Sequence, residues 1–485
     1  MPDTTAGRVA FKSLGCKLNQ LEADSLATQF QNAGYAVVDF EDEADVYVVN
    51  SCTVTKQADR KSRNLLYRAM SRGSAAGDGP GVGVAPAAAT GPMAAAAGSA
   101  APGAQSDGAP GERAQGPVVV MTGCYADAEG EALAKLGPTF VVGNDGKSRI
   151  FDMVDAYRRG ETPPPEPGAA RRFAYATPSR LYHTRGMLKI QDGCDNFCSF
   201  CIIPHVRGRA VSRPRTDVVQ EARALIDAQY KEIVLTGVNM SRYDDEGVSF
   251  ADLIESILEL PGRFRLRISS LEPDRLDDHF IELLGHPKMC PHLHLCLQSG
   301  SERILLAMRR QYTAAGYRKI AEEIRSRYPR FNLTTDIIVG FPGETEEDFA
   351  SSLQAVRGLG FGHVHTFRYS KRKGTRAERM GGHLPEKLKS ERSEQIRVAA
   401  EESKRRYRES LVGLTEELLV EAHRGEKAMG MGGHYVPIRT NCDERLADNT
   451  VHPVRIVSVD SGDDPSLYGE ILNGGAPSEP PALPA

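Results

Sequence analysis

The stretch GCDNFCSFC, Gly193–Cys201, decides how the chain is interpreted, because it places three cysteines in a C-x3-C-x2-C spacing. Three thiolates on one short loop can hold three irons of a [4Fe–4S] cluster, which leaves the fourth iron open to a small molecule. A zinc knuckle is the alternative, but structural zinc sites take four protein ligands and only His205 follows at a suitable spacing. The motif therefore predicts an iron–sulfur cluster on Cys194, Cys198 and Cys201.

Three further cysteines each follow a strand-like run in the first part of the chain. The runs VAFKSL, VYVVN and VVVMT lead to Cys16, Cys52 and Cys124, and helix-compatible stretches follow at residues 20–33 and 57–70. This alternation predicts a small parallel α/β sheet. Because open α/β sheets place ligands at the carboxyl ends of their strands, the three cysteines should converge. Each alone could be a buried apolar residue, but together they predict a second metal site.

The composition limits the class of protein. The 485 residues allow roughly three domains of ~100–200 residues, and the net charge of −4 means that any polyanion site must be a local patch. No apolar run is long enough to span a bilayer. Nine cysteines in a chain without an export-like start favour metal binding in a reducing cytoplasm over disulfides. We therefore expect a cytoplasmic protein without membrane segments.

Changes in composition divide the chain into three predicted domains, 7–160, 180–410 and 411–473. An Ala-, Gly-, Pro- and Ser-rich insert at 74–115 interrupts the first domain, and we expect it to be disordered, like the tail after Asn473. The segment 163–168 is predicted to be a linker.

The central domain repeats a strand-then-helix pattern six times, which predicts a partial (β/α)6 barrel. Chemistry on parallel barrels lies on the loops that follow the strands, and here those loops carry the cysteine motif and several polar residues. The predicted strands are Met187–Ile190, Glu232–Leu235, Arg265–Ile268, His292–Leu295, Thr335–Val339 and His363–Phe367.

The composition changes twice in the part of the chain that begins at Glu386. Glu386–Leu411 is a highly charged stretch that we interpret as a solvated connecting helix. Short alternating runs separated by Gly and Asp/Asn turns follow, between Gly413 and Leu472, and they predict a small antiparallel β-barrel.

The cysteine motifs resemble those of the radical S-adenosylmethionine (SAM) methylthiotransferases, and the likeness covers nearly all of the chain except residues 74–115 and the two ends. Such proteins join a three-cysteine domain, a radical SAM barrel and a TRAM-like β-barrel. The stretches that carry the resemblance are LGCKLNQ at 14–20, SCTVT at 51–55, TGCY at 122–125 and residues 193–204.

Within the family, the CKLNQ and CTVT forms are similar to the branch that acts on N6-threonylcarbamoyladenosine at position 37 of tRNA. Two alternatives stay within the same chemistry, which are methylthiolation of isopentenyladenosine in tRNA and of an aspartate in a ribosomal protein. A third alternative is a non-catalytic RNA-binding protein with two structural metal sites. That protein would contain zinc and would be colourless.

The resemblance implies SAM and two [4Fe–4S] clusters as cofactors, with all six cysteines as catalytic metal ligands. The cluster on Cys194, Cys198 and Cys201 would cleave SAM, and the resulting radical would take a hydrogen from carbon 2 of adenine. The cluster on Cys16, Cys52 and Cys124 would hold the transferred sulfur. The residues expected to contact SAM are Thr236, Gly237, Asn239, Glu272, Gln298 and Asp336.

The implied partners are the anticodon loop of tRNA and an electron donor such as flavodoxin or ferredoxin, with the protein as a monomer. Two basic clusters are candidates for RNA phosphate contacts, with a solvated charged face as the alternative. Cys290, Cys296, Cys442 and the histidines at 292, 294, 363 and 365 are interpreted as packing or surface residues. The basic residues are Arg207, Arg209, Arg213, Arg215, Lys371, Arg372, Lys373 and Arg376.

Overall fold

A computed structural model describes residues 6–72, 116–163, 172–174, 183–442, 445–461 and 465–472. The predicted disordered insert at 74–115, most of the predicted linker and the tail after Asn473 lie outside the described residues. The predicted domain boundaries stay predictions, although three structural units are distinct.

The N-terminal unit is a five-stranded parallel sheet in the order β2-β1-β3-β4-β5. Strands β3 and β4 are buried along their whole length, because parallel sheets are covered by helices on both faces. The sequence did not predict β2 and β5, which are four- and three-residue edge strands. The elements are β1 (Gly7–Ser13), α1 (Lys17–Asn32), β2 (Tyr35–Val38), β3 (Val46–Ser51), α2 (Lys56–Ser71), β4 (Val118–Gly123), α3 (Cys124–Ala134), β5 (Phe140–Val142) and α4 (Ile150–Arg158).

The central unit is a partial barrel, as predicted. Six of its strands are parallel and form two three-stranded sheets, and the bridge between Leu266 and Met289 connects these sheets. Its elements are β6 (Gly186–Lys189), β7 (Gln191–Asp192), α5 (Ile203–Val206), β8 (Val211–Ser212), α6 (Arg215–Asp227), β9 (Glu232–Thr236), β10 (Asp244–Asp245), β11 (Val248–Ser249), α7 (Phe250–Leu258), β12 (Arg265–Ile268), α8 (Asp278–Leu283), β13 (His292–His294), α9 (Glu302–Ala307), α10 (Ala314–Arg327), β14 (Asn332–Val339), α11 (Glu346–Gly358), β15 (His363–Arg368) and α12 (Glu386–Glu409).

Helix α12 is not the solvated connector that its charge suggested. It packs along β15 and α11, and its narrow apolar stripe of Ile396, Ala399 and Ala400 is buried in the barrel core. Arg392 is also buried and forms an ion pair with Glu344 at 2.6 Å. Long charged side chains can bury their stems in this way, so charge content alone did not predict exposure.

The C-terminal unit is a closed five-stranded barrel in the order β16-β17-β18-β20-β19. Four of its strand pairs are antiparallel, as predicted, and β18 pairs with β20 in parallel. It docks on the amino-terminal ends of the barrel strands, where Arg265 donates to Glu417 O at 2.8 Å and Arg267 to Gly433 O at 3.1 Å. The strands are β16 (Thr415–Arg424), β17 (Lys427–Met431), β18 (Pro437–Asn441), β19 (Val451–Val459) and β20 (Leu467–Ile471).

None of the helices in the described part of the chain combines the length and the apolar character that a bilayer crossing requires.

Candidate active site

The first cysteine motif, Cys194, Cys198 and Cys201, is called the loop triplet below, because it lies on the loop between β7 and α5. Backbone hydrogen bonds fix this loop, with Cys194 N–H donating to Gly208 O at 3.1 Å and Cys201 N–H to Cys198 O at 3.0 Å. Gly193 precedes the triplet at φ +70°, and a Cβ there would lie 2.0 Å from Arg209 O. Only glycine fits this position, so the loop conformation is built into the sequence.

Two side-chain nitrogen donors approach sulfurs of the loop triplet. Arg310 Nη1 lies 3.2 Å from Cys198 Sγ, and Asn239 Nδ2 lies 3.9 Å from Cys194 Sγ. Burial raises the pKa of the Cys201 thiol to about 12, with the nearby Cys198 and Cys194 thiols adding to the effect. Burial also raises the pKa of Cys198, while the charge of Arg310 opposes the rise. Ligand thiols must lose their protons to bind metal, and N–H donors such as these tune the potential of a bound cluster.

The second set, Cys16, Cys52 and Cys124, is called the sheet triplet. Cys16 caps α1 after β1, Cys52 directly follows β3, and Cys124 begins α3 after β4. Strands β1, β3 and β4 are neighbours, so the three cysteines share one edge of the sheet as predicted. Burial, together with the adjacent Cys124 and Cys16 thiols, raises the pKa of Cys52 to about 11. The three thiols therefore lie within electrostatic reach of one another.

Asparagine side chains hold the loops of the sheet triplet in place. Asn19 Nδ2 donates to Leu14 O at 2.8 Å and to Ser51 O at 3.0 Å, which ties the first two cysteine loops together. Gly123, at φ +98°, lets the third loop approach, because a Cβ there would lie 2.4 Å from Ser51 O. Asn144 Nδ2 lies 3.7 Å from Cys124 Sγ.

The spacing of the sulfurs fits a cluster better than a single ion. All nine cysteines are free of disulfides. Among the described residues, only His294, Asp336 and His365 bring three ligand atoms within 4.8 Å of one another, so neither cysteine triplet is that tight. One zinc ion with Zn–S bonds of about 2.3 Å would need its sulfurs about 3.8 Å apart. A four-iron cluster holds each thiolate on a separate iron, so both triplets fit such a cluster.

The two triplets belong to surfaces that face each other. Cys124 packs against Ile202 and Val206, which follow directly after the loop triplet. Asn144 Nδ2 donates to Val206 O at 3.0 Å across the same contact. The N-terminal sheet and the barrel therefore present their cysteine loops to one common interface.

The structure corrects part of the predicted RNA surface. Arg207 is buried and its Nη1 lies 3.0 Å from Glu22 Oε1, while Arg372 is buried and its Nη2 lies 2.8 Å from Asp59 Oδ2. Both arginines bind the N-terminal sheet to the barrel, so the prediction that they contact RNA phosphates is wrong. Arg213 is half-buried and pairs with Glu221. The exposed members of the two clusters are Arg209, Arg215, Lys371, Lys373 and Arg376.

A cavity of about 930 Å³ runs through the inside of the partial barrel. The loop after β1 closes one side, and Tyr435 of the C-terminal barrel closes another. Of the six residues expected to contact SAM, Thr236, Gly237 and Asp336 line this cavity. Burial alone would raise the pKa of Asp336, but the hydrogen bond and charge of His294 hold it below its ordinary value.

The other three expected SAM contacts lie nearer to the loop triplet, outside the described lining of the cavity. Asn239 faces Cys194, and Glu272 pairs with Arg310, which itself contacts Cys198. Gln298 has φ +66°, an uncommon conformation for a residue other than glycine. The assignment of all six as SAM contacts stays a prediction.

Sequence reasoning missed several residues of the site. Arg310 and Asn144, which approach the cysteine sulfurs, carry no local sequence signal that distinguishes them. Lys17, which lines the cavity, could have been found from the sequence, because it directly follows Cys16 of the sheet triplet. The four histidines interpreted as packing or surface residues, His292, His294, His363 and His365, all line the cavity.

Comparisons with known proteins agree with this architecture. The model of the Radical SAM superfamily matches residues 188–356, and that of Uncharacterized protein family UPF0004 matches residues 8–85. The threonylcarbamoyladenosine tRNA methylthiotransferase MtaB of Thermotoga maritima is 31% identical over 97% of this chain and 99% of its own. This chain belongs to the radical SAM tRNA methylthiotransferases.

Two further relatives also match most of this chain. The Bacillus subtilis protein, also named threonylcarbamoyladenosine tRNA methylthiotransferase MtaB, is 34% identical over 89% of both chains. The tRNA-2-methylthio-N(6)-dimethylallyladenosine synthase of Methylibium petroleiphilum is 30% identical over 96% of this chain and 97% of its own. These comparisons confirm the predicted family and fold class. They also confirm that the protein is a transferase and that its cofactors are SAM and [4Fe–4S] clusters.

Proposed function

We propose that this methylthiotransferase adds a methylthio group to carbon 2 of N6-threonylcarbamoyladenosine at position 37 of tRNA. The observation that carries the proposal is the interface at which both cysteine triplets meet, with Cys124 packed against Ile202 and Val206. A transfer that needs two metal centres requires both to reach one substrate. The names of the Thermotoga maritima and Bacillus subtilis relatives support the threonylcarbamoyl branch.

We assign the six cysteines as ligands of the two clusters, which when bound supply the electron that cleaves SAM and the sulfur that is transferred. The protein contributes position and charge. Arg310 and Asn239 orient the Cys198 and Cys194 thiolates from 3.2 and 3.9 Å. Asn19 ties two loops of the sheet triplet together, and Asn144 holds the third against the barrel. We retain the proposed SAM contacts at Thr236, Gly237, Asn239, Glu272, Gln298 and Asp336.

Charged and polar side chains of the cavity wall support a polar substituent on the adenine, although the lining also includes apolar residues such as Met187, Val234 and Val436. The wall carries Lys17, Arg185, Asp336 and several histidines. Burying an apolar prenyl group among these side chains would remove water from polar atoms without replacing its hydrogen bonds. The isopentenyl branch is the second candidate, because the Methylibium petroleiphilum relative matches nearly the whole chain.

The remaining partners follow from the same proposal. The anticodon loop would meet the exposed Lys371, Lys373 and Arg376, which follow the last barrel strand, and an unpaired base would be splayed out into the cavity. A small electron-transfer protein such as flavodoxin or ferredoxin would supply electrons in the cytoplasm, and the enzyme would act as a monomer. We propose 7–160, 180–410 and 411–473 as its domains.

The test is a reaction of the reconstituted full chain with SAM, a reductant and anticodon stem-loop RNA. One RNA carries threonylcarbamoyladenosine at position 37 and a second carries isopentenyladenosine, and mass spectrometry of the nucleosides detects 2-methylthio products. We expect product from the first RNA only. Cys198→Ala should abolish it, whereas Cys442→Ala, outside both triplets, should not.

Product from the isopentenyl RNA alone would overturn the branch assignment and leave the chemistry in place. If neither RNA reacts but a ribosomal protein stimulates SAM turnover, the substrate is a protein. A colourless protein that contains zinc would contradict the enzymatic proposal altogether.

A further inference from the structure

Lys17 is a basic side chain in the wall of the barrel cavity. It directly follows Cys16 at the start of α1, is half-buried, and places Nζ 5.0 Å from the centre of the Tyr435 ring. In the part of the chain that the structure describes, it forms no ion pair with a carboxylate. The two carboxylates of the cavity wall are already paired, Asp336 with His294 at 3.3 Å and Glu421 with Arg185 at 2.8 Å.

Two buried polar atoms of the same cavity wall also lack hydrogen bonds among the described residues. His292 and Asn332 are each 1% exposed and line the cavity. Within the described residues, no group bonds His292 Nδ1 or Asn332 Oδ1. The other ring nitrogen of His292 lies 3.1 Å from Thr334 Oγ1. Unsatisfied buried groups are uncommon in folded proteins, and a bound ligand or water explains them.

Tyr435 brings the C-terminal barrel into the same place. Its ring lies 4.6 Å from the His292 ring and 4.7 Å from the Arg267 guanidinium. Its φ of +58° is uncommon for a bulky residue, and such conformations persist where the surrounding structure imposes them, often at ligand sites. All three structural units therefore contribute to this end of the cavity.

We propose that Lys17, His292, Asn332 and Tyr435 form a carboxylate subsite, which binds the threonine carboxylate and hydroxyl of the N6 substituent and thereby selects the substrate. This inference rests on the proposed function. Carbon 2 and N6 lie on the same edge of adenine, so a base with carbon 2 near Cys16 directs its N6 substituent toward the residue beside Cys16. An ammonium group then meets a carboxylate, and the unpaired His292 and Asn332 atoms meet the hydroxyl and the carbamoyl group.

The selectivity follows from the cost of an unsuitable substituent. A prenyl group would leave Lys17 without a carboxylate partner and His292 Nδ1 without a hydrogen bond. Sites built for polar contacts reject analogues that lack them far more strongly than apolar pockets reject polar analogues. Two other basic side chains of the cavity wall are already engaged, since Arg185 pairs with Glu421 and Arg408 donates to Pro465 O.

The test is a binding titration with the reconstituted full chain and three anticodon stem-loop RNAs. They carry threonylcarbamoyladenosine, its analogue with the carboxylate converted to an amide, or unmodified adenosine. Lys17→Met should weaken binding of the acid RNA about 10- to 100-fold, the range expected for a charged hydrogen bond. The wild type should lose as much affinity on going to the amide RNA, and Lys17→Met should then distinguish acid from amide little. Lys12→Met, an exposed lysine of β1, is the matched control.

Iron content and the visible absorption spectrum of each variant show whether the clusters are intact, since Lys17 adjoins Cys16. If Lys17→Met with intact clusters prefers acid over amide as strongly as the wild type does, the carboxylate subsite is refuted while the proposed function stands. If the wild type methylthiolates only isopentenyl RNA, the proposed function fails first, independently of Lys17.

Discussion

Glu22 of α1 lies in a buried group of charges that joins the N-terminal sheet to the barrel. Its Oε1 accepts from Lys189 Nζ at 3.1 Å and Arg207 Nη1 at 3.0 Å, and its Oε2 pairs with Lys147. Asp192 is the second carboxylate, 2.7 Å from Lys189 and 3.1 Å from Arg207. None of these five side chains is more than 5% exposed. Three cations thus share two carboxylates in a buried setting.

We predict that Glu22→Gln destabilises the protein by about 3–5 kcal/mol, the usual cost of removing one partner from a buried ion pair. The substitution keeps the shape of the side chain but takes the paired carboxylate from Lys147 and leaves Lys189 and Arg207 with Asp192 as their carboxylate. Because Lys189 and Arg207 belong to the barrel and Glu22 to the sheet, the loss falls on the interface that brings the two cysteine triplets together.

The loss should depend on pH in a defined direction. Burial alone would raise the pKa of the Glu22 carboxyl above its ordinary 4.5, but the charges of Arg207, Lys147 and Lys189 hold it well below that value. A depressed carboxyl pKa stabilises the folded state above the unfolded-state pKa, and this contribution disappears as the pH falls below it. The difference between wild type and Glu22→Gln should therefore be complete at pH 7 and shrink below about pH 4.5.

Urea unfolding followed by circular dichroism measures the difference, with Glu43→Gln as the control because Glu43 is an exposed glutamate of the same unit. A Glu22→Gln protein within about 1 kcal/mol of the wild type at pH 7 would refute the reasoning. A deficit that does not change between pH 7 and pH 4 would refute the assigned role of the carboxylate charge.

Three further substitutions probe the metal sites and the RNA surface. Arg310→Met removes the hydrogen-bond donor that lies 3.2 Å from Cys198 Sγ. We expect a more negative cluster potential in an EPR redox titration and about 10- to 100-fold lower turnover. An unchanged potential would contradict this. Cys16→Ala should lower bound iron by about half and stop sulfur transfer while SAM cleavage continues; full iron content would remove Cys16 from the ligand set. Lys371→Glu with Lys373→Glu should reduce the slope of log affinity for tRNA against log salt by about two, whereas Lys319→Glu on the barrel exterior should not change it.

The barrel strands were predictable because their signal is local. The run Arg265–Ile268 was predicted with the bounds that β12 has in the structure, and Glu232–Leu235 differs from β9 by one residue. Both runs hold several apolar residues within a short segment of strand length, and such a local pattern is visible in the sequence. The edge strands β2 and β5 were missed because three or four residues show no reliable period. The sheet triplet was predictable for a similar reason, since each of its cysteines ends a strand.

The interface between the sheet and the barrel was not predictable, because its residues are far apart in the chain. Arg207 lies 185 residues from Glu22, and Arg372 lies 313 residues from Asp59. In the sequence each arginine stands among other basic residues, so a phosphate contact was the simplest interpretation. A charge pattern gives the sign of a residue but not its partner, and only the packing of the two units shows that these cations neutralise carboxylates of the other unit. The same limit hid Lys17, whose partner in the structure is a tyrosine from the third unit. Residues that join the units are therefore identified by tertiary structure, whereas the residues proposed to hold the cofactors are identified by local motifs.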